Sequence, residues 1–514
     1  MSERPRRRRS HSPRDREAGN HLIPQLPWRQ PRNSHAPMKI LSDDQVEAIH
    51  HASLRILEEL GIELMSVEAR ALFREAGAEV DEATGIVRLA PELVEQLIST
   101  APSEFTLTSR NAGKRLIFGG DYMAFGLVAG PPAVHDRING RRSGNLPDFE
   151  NFTRLAHHFN AIHIIGNQVC APMELPANNR HLDTYNANLT LSDLCFHCTA
   201  IGKGRALDGI KMMAISKGQT LEEIVNDPGV TTIISINSPR RFDGDMADGL
   251  IAMSSHGQAV AVTPFTLMGA MTPVTLAAGL TQQNAEALFG IALTQLARKG
   301  APVFYGAYTS NVDMRSGAPA FGTPENTKAN IASGQLARRY NLPYRASPTN
   351  ASNAADAQAA YETEMALWGC TLGHTNLFYH AAGWLEGGLC ASFEKLVMDV
   401  EMLQHMVSFL APIEVTEAEL AFDAMKEVPT GGHFFGSQHT MERYESAFYQ
   451  PLLSNWTNHE NWKLAGAKDA TMRATDIWQQ ALTEYAQPEM DQAIRDELDA
   501  YISKRKEEIG SGEP

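Results

Sequence analysis

The densest run of chemistry-bearing residues is His380-Ala381-Ala382-Gly383-Trp384-Leu385-Glu386-Gly387-Gly388, which sets an imidazole, an indole and a carboxylate among three glycines. Glycines there let backbone approach a large flat ligand, or simply let a loop bend sharply around Trp384. Upstream, Phe265, Tyr305, Tyr308 and Phe378 lie at or just after apolar runs. Ring faces grouped in this way attract a quaternary ammonium, a cation with no hydrogen to donate, although aromatics also build ordinary core. Asn237, Arg345, Thr349 and Asn350 hold corresponding positions and offer neutral or cationic donors. Glu386 is the single carboxylate near the group, so the set is poor in acids and bases.

Other chemical signals are weaker. Cys195-Phe196-His197-Cys198 supplies one pair of thiols where structural zinc needs four ligands, so buried, inert cysteines are expected. His157, His158 and His163 have no carboxylate at ligand spacing. Neither a Gly-x-Ser-x-Gly elbow nor a Walker A loop occurs, and the common acyl and phosphate chemistries lack their signatures.

Secondary-structure signals say which elements carry these residues. Apolar strand-like runs near 162–166, 196–201, 231–236, 259–263, 302–306, 343–347 and 375–380 alternate with helical stretches. Seven such units, with one more from the front half, predict an α/β fold, a (β/α)8 TIM barrel, in which chemistry belongs at the carboxyl ends of the strands. No Gly-x-Gly-x-x-Gly follows a strand, which speaks against a doubly wound sheet. Thr272-Pro273 and Thr323-Pro324 each read as a capping Thr before a first-turn Pro. Ser42-Asp43-Asp44-Gln45 is a capping-box pattern opening a helix that stops at Gly61, followed by helices near 66–76 and 91–99 and hairpin strands within 104–144. The predicted division is a disordered basic tail (1–32), an N-terminal helical and β-hairpin module (33–150), the barrel core (151–412) and a C-terminal helical extension (413–514).

Charge narrows the function classes. The 514 residues carry a net −15, but residues 1–32 hold nine Arg and three acidic residues, leaving 36 basic and 57 acidic residues and a body at −21. Such a body is a poor polyanion binder, which excludes nucleic acid as the main ligand. No apolar segment follows Arg6 to Arg9, so neither a Sec nor a twin-arginine signal is expected, an Arg-rich organellar transit peptide being the alternative. Five cysteines, an odd number, do not make a disulfide scaffold, and a reduced cytoplasm is expected. Gly249 to Ala285 contains no Asp, Glu, Lys or Arg, yet Pro264 and Pro273 interrupt it. A buried strand followed by a new helix is expected there, not a membrane span.

Several motifs carry a family resemblance. They are Asp356 to Glu362, His380 to Leu389 with Ser392-Phe393-Glu394-Lys395, Gly432-His433-Phe434 with Gly436 and His439-Thr440, and Gly466-Ala467-Lys468-Asp469. Gln25-Leu26-Pro27-Trp28 and Gly126-Leu127 extend the match into the front half. Together they resemble the trimethylamine:corrinoid methyltransferase (MttB) superfamily over nearly the whole chain after about residue 24. The resemblance implies a (β/α)8 barrel that moves a methyl group from a methylated amine to the Co(I) form of a cobalamin (corrinoid) carried by a separate small protein. None of the 18 His has an Asp two residues before it, so the usual cobalt-ligating Asp-x-His is missing and the corrinoid is expected from that partner, with no metal bound directly.

The trimethylamine enzymes of the family contain pyrrolysine, whereas these 514 residues are all standard, so the chain is similar to the non-pyrrolysine branch. That implies a quaternary amine, glycine betaine first, with proline betaine, carnitine or a tertiary methylamine as alternatives. The resemblance supports roles for His380, Trp384 and Glu386; strand-end position and chemistry add the rest. His380 and Glu386 are assigned to catalysis, and Trp384, Tyr305, Tyr308, Phe265, Asn237, Arg345, Thr349 and Asn350 to the substrate. Gly383, Gly387 and Gly388 are assigned to the corrinoid. A homo-oligomer is expected on the general frequency of symmetric enzymes. Two other readings stay open: a metal-dependent lyase or hydrolase on the same barrel, and a non-catalytic betaine-binding barrel.

Overall fold

In the computed structural model, which describes residues 23–510, eight short strands close into a barrel. They are β1 (Ala124–Leu127), β2 (Ile164–Ile165), β3 (Cys195–His197), β4 (Val230–Ile234), β5 (Ala259–Val262), β6 (Val303–Gly306), β7 (Tyr344–Ala346) and β8 (Leu377–Ala382). Every pairing is parallel and the order around the barrel follows the chain, with β8 returning to β1. Each of the seven apolar runs holds one barrel strand; the eighth, β1, comes from the front half, inside the stretch assigned to an N-terminal module.

Four helices of the outer layer matter most for the site: α1 (Leu276–Ala297), α2 (Pro324–Arg339), α3 (Ala357–Leu372) and α4 (Phe393–Phe409). α2 begins as its sequence predicts, with the Thr323 side chain accepting the Asn326 N–H and Pro324 in the first turn. α1 begins later than expected: Thr275 is the capping residue, because Thr272 is held in a bridge to Met268 that closes the preceding strand. The charge-free stretch becomes the second half of the helix Gly244–Ser255, β5, the strand Phe265–Met268 and the first half of α1. Among the described residues, no helix is long and apolar enough to cross a membrane.

The amino end of the barrel is plugged. A hairpin of Phe105–Leu107 and Leu116–Phe118 sends Phe105 and Phe118 edge-on against Phe304 of β6, each at 4.9 Å between ring centroids. Usable space is therefore left at the carboxyl end. Residues 23–32, expected as part of a disordered tail, are packed instead. Gln25 donates to the His158 carbonyl, the Leu26 N–H donates to Gln404, and His163 bonds the Arg29 carbonyl. The rest of that tail, residues 1–22, lies outside the described residues. The capping box at Ser42 is present, and its helix passes through one π-helical turn to end on Gly61 at φ 70°.

Candidate functional site

A cavity of about 390 Å³ opens at the carboxyl end of the strands. Parallel strands just beyond β5 and β6, Phe265–Met268 and Tyr308–Val312, pair with Phe265 opposite Tyr308, whose rings lie 5.1 Å apart. Phe321 stacks on Tyr308 at 5.2 Å, and Trp384 stands edge-on to both. On β8 the pairing register slips between Phe378 and Ala382, and His380 takes φ 61°. That bulge turns both Tyr379 and His380 into the cavity, at the cost of a strained histidine backbone.

Arg345 supplies the charge. It is 1% exposed, its guanidinium lies 5.5 Å from the Tyr308 ring centroid and 5.2 Å from that of Tyr379, and its Nε has no hydrogen-bond partner. Burial pulls its pKa down to about 10, which still leaves it cationic at neutral pH. Among the described residues lining the cavity there is no Asp, Glu or Lys. The His380 Nδ1 meets the Ser347 hydroxyl at 3.2 Å, and burial first, then Arg345 and His197, hold this imidazole well below its usual pKa. It is neutral at physiological pH. Arg345 Nη1 donates to the Ala307 carbonyl at 3.5 Å, but no carboxylate lines the cavity among the described residues; a guanidinium without a counter-ion, a neutral imidazole and aromatic walls suit a ligand that carries both an anion and an apolar cation.

Of the residues assigned from sequence, the structure brings together Phe265, Tyr308, Arg345, His380, Trp384, Gly387 and Gly388 around this cavity. A Cβ on Gly388 would sit 2.5 Å from the Trp384 indole, at a φ of 106°, so the close packing of loop on indole requires glycine. Thr349 and Asn350 stand one layer back. Tyr308 donates to Thr349 at 3.3 Å; the Asn350 side chain donates to the Trp384 carbonyl at 2.7 Å while the Asn350 backbone carbonyl accepts the indole N–H at 3.0 Å. They hold the wall and do not line it. Gly383 is also behind the wall, its N–H donated to Asp399 at 2.8 Å.

Four placements are corrected, since these residues lie outside the cavity. Tyr305 faces the helix layer, where its hydroxyl donates to Asn284 and accepts from Gln283, because successive strand residues point to opposite faces and Phe304 takes the lumen. Phe378 is turned outward for the same reason, and Tyr379 is the ring that enters the cavity. Asn237 is exposed in a turn, paired through its backbone with Arg241. Glu386 turns away at φ 55° and receives the Arg141 Nε on both oxygens at 3.0 Å, so its charge anchors the loop to the β-hairpin Ala133–Ser143. Cys195 on β3 and Cys198 just after it are buried in different core clusters, and burial pushes both thiols up to about 12.

Asn167, Thr199, Ser235, Thr263, Phe321 and Tyr379 also line the cavity, beyond the residues expected from sequence. Thr199, Ser235 and Thr263 follow or end predicted strands and were within reach of the strand-end rule. Phe321 was not, since a loop returns it to the mouth. Tyr305→Phe tests the outward placement. Removing its hydroxyl should cost about 1–3 kcal/mol in chemical denaturation, by stranding buried amides, while ligand affinity stays within about twofold. A large affinity loss without destabilisation would return Tyr305 to the site.

The family model described as trimethylamine methyltransferase (MTTB) matches residues 5–510. A glycine betaine methyltransferase of Desulfitobacterium hafniense (strain Y51) is 36% identical over 472 residues, covering 92% of this chain and 98% of that protein. The trimethylamine methyltransferase MttB of Desulfitobacterium hafniense (strain DSM 10664 / DCB-2) is 30% identical over 472 residues, 91% of this chain and 94% of its own length. A proline betaine:corrinoid methyltransferase of Eubacterium limosum is 26% identical over 476 residues, 90% of this chain and 97% of its own.

Proposed function

On the premise that the chain belongs to the trimethylamine methyltransferase (MTTB) family, we propose that it transfers a methyl group from a carboxylate-bearing quaternary amine, glycine betaine foremost, to a corrinoid held by a partner protein. The observation that carries this reading is Arg345, a buried cation that has no carboxylate partner among the described residues and faces an aromatic cavity. An amine without an anion would leave that guanidinium uncompensated, whereas a betaine neutralises it. Two relatives, a glycine betaine methyltransferase and a proline betaine:corrinoid methyltransferase, agree with that preference.

In this reading Arg345 holds the carboxylate, and Trp384, with Phe265 and Phe321, presents ring surface to the trimethylammonium. Tyr308 lies between the two ends, stacked on Phe321 and under the guanidinium. The nucleophile would be supplied by the Co(I) corrinoid of the partner protein. The breaking C–N bond leaves its electron pair on nitrogen, so the product departs as a neutral tertiary amine and needs no general acid. Neutral His380 and the absence of carboxylates along the cavity fit that requirement. The chain's own contribution is in-line positioning and exclusion of water.

The fit to the corrinoid is at the rim. At about 390 Å³ the cavity is at the small end of ligand pockets and suits a compact amine, with the macrocycle left outside. Gly387 and Gly388, with exposed Ile201 and Leu389, would form the apolar seat against it. The compartment proposed is the cytoplasm, where the five buried cysteines would stay reduced.

Calorimetry tests the cage. Trp384→Leu should weaken glycine betaine by about 1–2 kcal/mol, the size of a desolvated cation–π contact, and weaken tetramethylammonium by a similar amount. Unchanged affinity for both would make Trp384 a packing residue and move the cation elsewhere.

A further inference from the structure

The two ring nitrogens of His380 have unlike surroundings. Nδ1 meets the hydroxyl of Ser347 at 3.2 Å, and Ser347 is 0% exposed. Nε2 has no hydrogen-bond partner among the described residues and stays accessible, on a ring that lines the cavity. Burial first, then Arg345 and His197, keep the imidazole neutral, so it carries a single N–H. The nitrogen that holds this proton decides what the ring offers a ligand. With the proton on Nε2 the ring is a donor toward the cavity; with the proton on Nδ1 it turns a lone pair there.

Ser347 makes that choice through its own hydrogen-bonding needs. A hydroxyl has one proton to give, and among the described residues the Ser347 side chain has a single hydrogen-bond partner, the His380 ring. A proton on Nδ1 would make the hydroxyl an acceptor and strand its own O–H in a buried site, a costly arrangement. With Nδ1 bare, the hydroxyl donates to it and both groups are satisfied. The imidazole proton then sits on Nε2. Turning the ring over gives no way out, because a ring carbon would then face Ser347 and the hydrogen bond would be lost. Trp384 at 4.4 Å and Tyr379 at 4.3 Å between ring centroids flank the imidazole and restrict that rotation.

Position ties this tautomer to the guanidinium. Arg345 lies in β7 and Ser347 directly follows that strand, two residues on, so both side chains leave the same face. The neighbouring β8 pairs its Phe378 with Ala346 and carries His380. One strand end therefore supplies the cation itself and, through the imidazole, sets a second donor. We infer that Ser347 is a positioning residue: it holds His380 as the Nε2–H tautomer, so that imidazole and guanidinium both donate to the carboxylate of the ligand. The inference rests on the carboxylate-bearing amine proposed above for the same cavity. Ser347 itself stands behind the wall and does not line the cavity.

The tautomer is read on the ligand-free full chain, so the test does not depend on a variant that folds well. Nitrogen NMR of protein labelled at its histidines should show a protonated Nε2 and a bare Nδ1 for His380. Its signals are those lost in His380→Asn, asparagine being chosen because it tolerates a left-handed φ. Calorimetry then separates positioning from packing. Ser347→Ala should weaken glycine betaine about tenfold and leave tetramethylammonium, which has no carboxylate, within about twofold. A proton on Nδ1 in the unaltered chain would overturn the inference. So would unchanged betaine affinity in Ser347→Ala, or equal losses for betaine and tetramethylammonium. A chain that shows the Nε2–H tautomer yet binds no betaine would instead overturn the substrate proposed above and leave the tautomer assignment standing.

Discussion

Arg345→Met is expected to lose glycine betaine affinity by about 2–5 kcal/mol, roughly 30- to several-thousand-fold, while tetramethylammonium binding changes little. The expected effect on stability has the opposite sign. A buried guanidinium without a carboxylate is a cost of folding, expressed in a pKa held down near 10 by burial, and an apolar side chain of similar length removes that cost. Thermal denaturation of the ligand-free protein should therefore show Arg345→Met no less stable than the unaltered chain. Loss of affinity together with gain of stability is the pattern of a residue kept for its ligand. Equal loss for betaine and tetramethylammonium, or a fall in stability of several kcal/mol, would make Arg345 structural.

Lys395→Met is expected to have the largest effect on folding, about 3–5 kcal/mol in chemical denaturation, because it strands a buried carboxylate. Lys395 and Asp399 are one turn apart on α4 and fully buried, joined by a short hydrogen-bonded ion pair. Burial drags the lysine pKa down and the aspartic acid pKa up, and each charge is kept by the other. The pair reaches the site by two routes. The second Asp399 oxygen accepts the Gly383 N–H at 2.8 Å. Lys395 donates to Thr363 at 3.0 Å, and Thr363 accepts Asn350, which brackets Trp384. Lys395→Met with Asp399→Asn should recover at least half of the lost stability, since no unpaired charge remains. A loss under 1 kcal/mol for the single variant would mean that the carboxylate finds water.

The sequence was most informative where local chemistry is decisive. The Ser42 capping box, the Thr323-Pro324 helix start and all seven apolar runs correspond to elements of the structure, because caps and burial are written within a few residues. Which face of a strand looks inward was not legible. Barrel strands are buried on both sides, so Phe304-Tyr305 and Phe378-Tyr379 show no polar alternation, and a one-residue slip exchanges lumen for helix layer. The bulge at His380 hides the register further. Partnership was equally hidden: Glu386 and Arg141 are 245 residues apart, and nothing near either residue announces the other. Arg345 lines the cavity, within reach of strand-end position and chemistry, while its lack of a carboxylate partner among the described residues is visible only in three dimensions.

In the proposed reaction a methyl group leaves a betaine for cobalt. Purified chain should be mixed with cob(I)alamin and glycine betaine, proline betaine, carnitine, tetramethylammonium or trimethylamine in turn, following methylcobalamin by absorbance and the demethylated amine by mass spectrometry. The prediction is methylcobalamin from glycine betaine with one equivalent of dimethylglycine, and little or none from trimethylamine. Turnover of trimethylamine with no turnover of any betaine would contradict it.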